Sequence, residues 1–333
     1  MPAENVMGNS SIVARLKPVC RALGACCALA ASLVVFPNAV PWLVAAWLLA
    51  YTLLVLFGRD GRLCLVACGA ALLVKRLAPA PGLVGLIVVM AVILMLGVVY
   101  ARRGRPTSSR RFAVLSVIAV WSAWVGMTAD WREAAHCRHP VILHSDRPVV
   151  CLGDSMTSLG PASTGYPRDL QQLISVPVLN LGVPGIQASA AVDDCLPGLA
   201  RHNPQAVVVE LGAHDFLNGR SRASTKASLK TIIAAARHIG AEVVLMEIPR
   251  AYVSDPYWGL EREIARQEDV ELIPDTAMRT LFLRSRAFPP GSWLGEPYLT
   301  DETGIHPTPQ GNRILAQYVA EALQRMYGPR IRR

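Results

Sequence analysis

Long apolar runs dominate the first 130 residues of the chain, whereas short apolar runs alternate with helical segments from Arg147 onward. A helix needs about 20 apolar residues to cross the hydrocarbon core of a bilayer, with about 17 as a working minimum. The first part therefore predicts about five membrane-spanning helices. The predicted spans are residues 19–36, 40–57, 63–77, 83–100 and 112–129.

Basic residues indicate how these spans are oriented. Up to His136 the chain has 13 basic and 4 acidic residues, and from Cys137 onward it has 20 of each. The net charge of +9 thus belongs to the membrane part and gives no indication of nucleic-acid binding. Basic clusters precede the first, third and fifth runs, and basic loops stay in the cytoplasm. Five spans put all three clusters there and the following domain outside; four spans, with 63–77 re-entrant, strand one cluster.

The second part of the chain has the pattern of an α/β domain. Helical stretches with one broad apolar face, such as 223–239 and 309–326, separate short apolar runs. This alternation predicts one doubly wound parallel sheet, which carries its site outside the carboxyl ends of the strands. The predicted organisation is a transmembrane helical region at 1–130, a juxtamembrane linker at 131–146 and the α/β domain at 147–333. Predicted strands are 148–152, 176–181, 206–211, 242–248 and 270–273.

A serine and a late histidine suggest nucleophilic catalysis. Ser155 lies on a Gly-Asp-Ser turn directly after the first predicted strand, and His306 lies near the far end of the chain. A serine hydroxyl is a weak nucleophile until a base within hydrogen-bond distance removes its proton. We therefore expect Ser155 to be the nucleophile and His306 its base, although such a tripeptide is also common in ordinary turns.

Four separated blocks resemble those of the SGNH, or GDSL-type, hydrolases, in the family's order, over about residues 147–333. The resemblance implies an esterase that needs neither metal nor organic cofactor. It also implies an oxyanion hole made of the backbone N–H groups of Ser155 and Gly185 and a side chain at position 214. The blocks are Gly153-Asp154-Ser155-Met156-Thr157, Asn180-Leu181-Gly182-Val183-Pro184-Gly185, Gly212-Ala213-His214-Asp215 and Thr303-Gly304-Ile305-His306-Pro307.

Two blocks depart from the family pattern. His214 stands where the family has asparagine, and a neutral imidazole donates from only one nitrogen at a time. We expect His214 to serve as an oxyanion donor; the alternative is a surface-loop histidine. Thr303 stands where the family has the aspartate that orients the histidine. Asp301 is the favoured replacement, while Glu302 or a backbone carbonyl that completes a Ser-His dyad stays open.

The pattern as a whole predicts a membrane-anchored serine esterase that works outside the cytoplasmic membrane on acyl esters of lipids or of envelope glycans. Its expected partners are the lipid bilayer and the acyl-ester substrate, without nucleic acid, and the oligomeric state stays open. Two alternatives remain: an O-acyltransferase that uses a glycan hydroxyl instead of water, and an inactive SGNH-fold binding module. Four linker residues match no zinc spacing and are interpreted as solvated. They are His136, Cys137, His139 and His144.

Overall fold

The structure is a computed structural model, and it divides into two compact units. One unit contains the described residues up to Thr128, and the other contains those from Ala129 to Arg333. The structure describes residues 40–75, 81–102, 110–133, 136–158, 165–250, 257, 259–287, 292 and 295–333.

The described part of the first unit consists of four helices. They are α1 (Val40–Leu56), α2 (Arg62–Lys75), α3 (Pro81–Arg102) and α4 (Arg110–Glu133).

Two of these helices contain segments that are long and apolar enough to cross a membrane, judged by length and composition. The segments are Gly82–Tyr100 in α3 and Arg111–Ala129 in α4. Helix α2 has 14 residues, so at about 1.5 Å per residue it is shorter than the ~30 Å hydrocarbon core. Helix α1 has 17 residues, and the predicted span 19–36 lies outside the described residues. The prediction of about five spans is therefore not confirmed, and two candidate spans are found.

Helix α4 packs against α1 and α3 through small and polar side chains. Tyr51 donates a hydrogen bond from its hydroxyl to Ser116 Oγ at 2.7 Å, and Trp121 Nε1 donates to Thr52 Oγ1 at 3.0 Å. A Cβ on Gly82 would lie 2.5 Å from the carbonyl oxygen of Gly126, so only glycine allows the two backbones to approach this closely. Close packing at small residues and interhelical hydrogen bonds are typical of helices that associate in membranes.

The second unit is built around a five-stranded sheet in which every pairing is parallel. Its order, β2-β1-β3-β4-β5, confirms the predicted doubly wound α/β fold. All five predicted strands are present within a few residues of the expected positions. They are β1 (Val149–Gly153), β2 (Val178–Asn180), β3 (Ala206–Glu210), β4 (Glu242–Met246) and β5 (Glu271–Ile273).

Helices cover both faces of the sheet because alternate residues of each strand point to opposite sides. Val149 and Cys151 contribute to one apolar core, and Val150 and Leu152 contribute to the other. The helices of this unit are α5 (Ser155–Ser158), α6 (Tyr166–Leu173), α7 (Ala188–Asp194), α8 (Leu196–Leu199), α9 (Ala213–Leu217), α10 (Arg222–His238), α11 (Leu260–Glu268), α12 (Asp275–Leu283) and α13 (Pro309–Tyr327).

The predicted juxtamembrane linker, 131–146, is part of folded structure where it is described. Residues 131–133 end helix α4, and Val141 and Leu143 pack against one core of the sheet. Gln205 donates to the carbonyl oxygen of His144 at 2.8 Å and accepts from its N–H at 3.0 Å. Partial burial of two aliphatic side chains and these hydrogen bonds attach residues 136–146 to the α/β unit.

Candidate active site

Ser155 is the first residue of helix α5, which follows β1 after a single residue. The turn requires Gly153, because a Cβ there would lie 2.0 Å from Thr157 Oγ1 and 2.7 Å from Glu210 Oε2. Asp154 Oδ1 accepts a hydrogen bond from the N–H of Met156 at 3.0 Å, which fixes the start of the helix. Sequence and packing thus hold the Ser155 side chain at the carboxyl end of the sheet.

His306 lies between Ser155 and Asp301. Its Nε2 is 3.1 Å from Ser155 Oγ, and its Nδ1 is 3.2 Å from Asp301 Oδ2. Both distances fall within the range of about 2.6–3.2 Å that proton transfer and orientation require. The structure therefore brings together three of the predicted residues in the order nucleophile, base and acid.

Thr303 supports the acid and does not replace it. Its hydroxyl donates to Asp301 Oδ1 at 2.5 Å, and its N–H donates to the same oxygen at 3.1 Å. Although burial acts in the opposite direction, these hydrogen bonds and the one to His306 lower the pKa of Asp301 below its ordinary value. Asp301 is thus ionised beside the imidazole, whereas the side chain of Glu302 is 86% exposed and pairs with Arg286 at 3.4 Å.

The Gly185 turn is held beside the nucleophile by the second block. Val183 donates from its N–H to the carbonyl of Gly153 at 2.9 Å, and Asn180 Nδ2 donates to the carbonyl of Thr157 at 3.1 Å. Gly185 adopts φ = 78°, a left-handed conformation that favours glycine. Its N–H donates no hydrogen bond among the described residues, and Ser155 provides the first N–H of α5, which no carbonyl of that helix accepts. Neither N–H group has an acceptor among the described residues, and their role as oxyanion donors stays a prediction.

His214 lies in α9, directly after β3, with its Nε2 3.9 Å from Asp154 Oδ2. Its side chain is 27% exposed. The neighbouring Asp215 is buried and accepts a hydrogen bond from the N–H of Ala188 at 2.7 Å, which anchors the loop. The structure thus places His214 next to the nucleophile turn, and its role as an oxyanion donor stays a prediction.

Comparisons with known proteins place this chain beside lipases and esterases. The GDSL-like Lipase/Acylhydrolase family matches residues 151–314. An arylesterase from Vibrio mimicus is 28% identical over 193 residues, covering 53% of this chain and 87% of that protein. The thioesterase 1/protease 1/lysophospholipase L1 of Escherichia coli (strain K12) is 28% identical over 151 residues, covering 42% of this chain and 66% of that protein. The crystal structure of the psychrotrophic esterase EstA from Pseudoalteromonas sp. is 19% identical with a TM-score of 0.44, covering 54% of this chain and 97% of that one.

The second unit is a GDSL-type carboxylic ester hydrolase domain. The matched residues include all four sequence blocks up to His306. The GDSL domain departs from the family pattern at His214 and Thr303, and the structure gives Thr303 a hydrogen-bonding role at Asp301.

Glu210, at the end of β3, is a part of the GDSL site that sequence reasoning missed. Its Oε2 accepts hydrogen bonds from the N–H of Asp154 at 3.2 Å and from Thr157 Oγ1 at 3.0 Å, so it joins both ends of the nucleophile turn. Its Oε1 is buried without a partner in the described structure. Burial, and then the charge of Asp154, raise the pKa of Glu210 well above its ordinary value. The only sequence signal was a glutamate that ends a fully apolar strand.

The backbone in front of helix α9, which carries His214, has a buried support of its own. Gly212 adopts φ = 113°, and its carbonyl accepts a hydrogen bond from Arg250 Nε at 3.1 Å. Arg250 also forms an ion pair with Glu261 in which both side chains are 1% exposed. The buried ion pair with Glu261 holds the Arg250 side chain in place, since removing one partner would leave an uncompensated charge. The hydrogen bond from Arg250 to the Gly212 carbonyl then fixes the backbone in front of His214.

Metal-binding side chains lie elsewhere in the GDSL domain. Ligand atoms of Cys137, His139 and Glu242 lie within 4.8 Å of one another. Glu242 is the first residue of β4, whereas Ser155 lies one residue beyond the carboxyl end of β1. In a parallel sheet the amino and carboxyl ends of the strands lie on opposite sides, so the cluster is separate from the triad.

Replacing Glu210 by glutamine should remove part of the pH dependence of stability. A carboxyl whose folded pKa is raised stabilises the fold below its ordinary value of 4.5, and that contribution is lost as the pH rises toward the folded pKa. The slope is about 1.4 kcal/mol per pH unit for one proton. Glu210→Gln keeps the acceptor oxygen but cannot ionise. As the pH rises from about 4.5 to about 7, the thermal midpoint of wild type should therefore fall relative to that of Glu210→Gln.

The matched control is Glu321→Gln, since Glu321 is exposed on α13. Its midpoint should follow wild type at every pH. A Glu210→Gln protein that is destabilised equally at all pH values would mean that Glu210 is ionised in the fold.

Proposed function

We propose that the protein is a membrane-anchored serine esterase whose GDSL domain lies outside the cytoplasm and hydrolyses acyl esters of lipids or of acylated envelope glycans. The observation that carries the catalytic part is the line from Asp301 through His306 to Ser155, with contacts of 3.2 and 3.1 Å. An inactive binding module has no need of this geometry. The ionised Asp301 also fills the role that Thr303 left open in the sequence.

The reaction follows from the positions of these atoms. His306 Nε2 takes the proton of Ser155 Oγ while the oxygen attacks the ester carbonyl, and Asp301 stabilises the imidazolium. The resulting oxyanion is bound by the N–H groups of Ser155 and Gly185 and by the His214 side chain. The imidazolium then protonates the alcohol as the carbon–oxygen bond breaks. Water, deprotonated by His306, attacks the acyl-enzyme in the same way and releases the acid.

Apolar side chains next to the site favour lipid esters among the proposed substrates. The described part of the GDSL domain exposes four large hydrophobic side chains, and three of them lie in a catalytic block or two residues after one. Val183 precedes Gly185 on the oxyanion turn, Leu217 is in the same helix as His214, and Ile305 precedes His306. They are 43%, 68% and 51% exposed, respectively. Such a surface suits an acyl chain better than water.

Membrane anchoring is supported by where the exposed apolar surface lies. Of the 22 large hydrophobic side chains exposed in the described structure, 18 belong to the first unit. Only 28% and 22% of the two candidate spans are buried within the described structure, which supports helices surrounded by lipid over buried core helices of a soluble bundle. An apolar surface of this extent suits a lipid environment. The basic clusters before the first, third and fifth predicted spans support five spans with the N-terminus inside.

The orienting acid can be tested by isosteric substitution. Asp301→Asn should lower kcat for p-nitrophenyl ester hydrolysis by about 10²–10⁴-fold, because an amide cannot stabilise the imidazolium. Glu302→Gln, which makes the same change on the next side chain, should stay within about twofold of wild type. The full-length protein is used in detergent. If Asp301→Asn is as active as Glu302→Gln, the site works as a dyad.

Adding a glycan hydroxyl acceptor to the same assay separates hydrolysis from transfer. The proposed esterase releases free acid at an unchanged rate. Acyl transfer to the acceptor in preference to water would replace the esterase proposal by an O-acyltransferase. Both enzymes form the same acyl-Ser155 intermediate, so this product analysis is needed in addition to the variants.

His214 can be tested against the family's own residue. His214→Asn should retain substantial turnover because an amide can donate from the same place, whereas His214→Ala should lose about 10²-fold in kcat. The measurement is steady-state kinetics with a small effect on KM, since an oxyanion donor acts in the transition state. Equal kcat for wild type and His214→Ala would mean that His214 is a loop residue only.

The proposed orientation can be tested with alkaline phosphatase fusions in a bacterial host. A fusion after Arg333 should have phosphatase activity, since alkaline phosphatase matures only outside the cytoplasm. A fusion truncated after Gly61, in the loop before the third predicted span, should be inactive. The reverse pair of activities would place the GDSL domain in the cytoplasm and contradict the five-span proposal.

A further inference from the structure

We propose that Cys137, His139 and Glu242 form a binding site for a divalent transition metal ion such as zinc at the amino-terminal edge of the sheet. Nothing in the reaction at Ser155 requires this site, so the inference does not rest on the proposed function. Its three side chains offer a sulfur, a nitrogen and an oxygen ligand, a set that suits zinc.

The three ligand atoms lie within 4.8 Å of one another. His139 Nε2 lies 3.6 Å from Cys137 Sγ and 2.9 Å from Glu242 Oε2. With metal–ligand bonds of about 2.0–2.3 Å, pairs of ligands in a tetrahedral site are about 3.3–3.6 Å apart. A metal that replaces the proton between Nε2 and Oε2 needs these atoms to separate by about 0.4 Å. Sγ also lies 3.4 Å from His139 Nδ1, so the thiol must turn about its Cα–Cβ bond toward Nε2.

A second carboxylate orients the imidazole. Asp269 Oδ2 lies 2.9 Å from His139 Nδ1, and Asp269 Oδ1 accepts a hydrogen bond from the N–H of Arg138 at 3.2 Å. Histidines that bind metals with one nitrogen commonly donate a hydrogen bond from the other nitrogen to a carboxylate. This partner fixes the tautomer that leaves Nε2 available for the metal.

The electrostatic surroundings favour a cation. Asp269 and Glu242 each place a carboxylate oxygen 2.9 Å from a ring nitrogen of His139, and Glu271 accepts a hydrogen bond from the N–H of Cys137 at 2.9 Å. Arg325 Nε pairs with Glu271 at 2.7 Å, and His136 Nδ1 lies 3.5 Å from the same carboxylate. These groups balance Glu271, whereas Glu242 and Asp269 both lie against His139, and Asp269 also feels the charge of Arg138. A bound dication would offset both carboxylates and stabilise the thiolate.

The expected consequence is structural. Cys137 and His139 lie on the segment that enters the GDSL domain, and Glu242 begins β4. These positions are about a hundred residues apart in sequence, so a metal would close a long loop and fasten this segment to the sheet. Binding to the folded chain should then raise its stability.

Cobalt(II) provides the test, because thiolate coordination gives a charge-transfer absorption band. The full-length protein is stripped with chelator in detergent and titrated with Co²⁺. We expect about one ion per chain, a thiolate band that zinc removes, and a higher thermal midpoint with either metal. Cys137→Ser should abolish the band, and Asp269→Asn should weaken binding about 10–100-fold.

Cys195→Ser is the matched control, since Cys195 is the other half-buried free cysteine of the GDSL domain. It should keep the band and the affinity, and every variant should keep ester hydrolysis, which reports an intact fold. If Cys137→Ser fails this check, His139→Gln takes its place with the same expected loss. Absence of binding, or a band that survives Cys137→Ser or His139→Gln, would overturn the proposal.

Discussion

The close approach of β1 to the end of β3 is the constraint on which the site depends. No side chain fits at Gly153, because Thr157 and Glu210 already occupy the space. A glycine at this position lets the chain pass close to Thr157 and Glu210 and turn into α5, with Ser155 as the first residue of that helix. Glu210 holds both ends of the turn by hydrogen bonds, and the carbonyl of Gly153 holds the oxyanion turn through Val183. Ser155 and the Gly185 turn, the predicted nucleophile and oxyanion turn, are thus positioned at the carboxyl ends of β1 and β3.

The acid that completes the triad shows how a departure from a family pattern is accommodated. Thr303 carries no charge, yet its hydroxyl and N–H both bind Asp301 and hold that carboxylate beside His306. Two residues therefore stand where the family pattern has a single aspartate: Asp301 provides the charge beside His306, and Thr303 orients Asp301. The contact of His214 with Asp154 does not by itself assign a role to the imidazole. Because this contact places His214 next to the nucleophile turn, its substitution by asparagine is informative.

Sequence periodicity was sufficient for the α/β unit and insufficient for the site's supports. Buried parallel strands are continuous apolar runs, so β1 to β5 were predicted closely, and so was α10 by its apolar face. Asp301 and Glu302 are adjacent in sequence, and only the fold shows that one faces His306 while the other faces solvent. Glu210 and the Arg250–Glu261 pair gave no motif because their roles come from burial. Span counting was weakest at α2, whose 14 residues are short for a bilayer.

Activation of Ser155 by His306 can be measured with a fluorophosphonate, because this probe reacts with activated serines only. We expect a single adduct on Ser155, mapped by peptide mass spectrometry of the whole protein. Ser155→Ala should abolish labelling, and Ser158→Ala, a change in the same short helix, should preserve it. His306→Ala should slow labelling by several orders of magnitude. If Ser155 stays unlabelled in a protein that still hydrolyses esters, or if labelling survives Ser155→Ala, Ser155 is not the nucleophile that His306 activates.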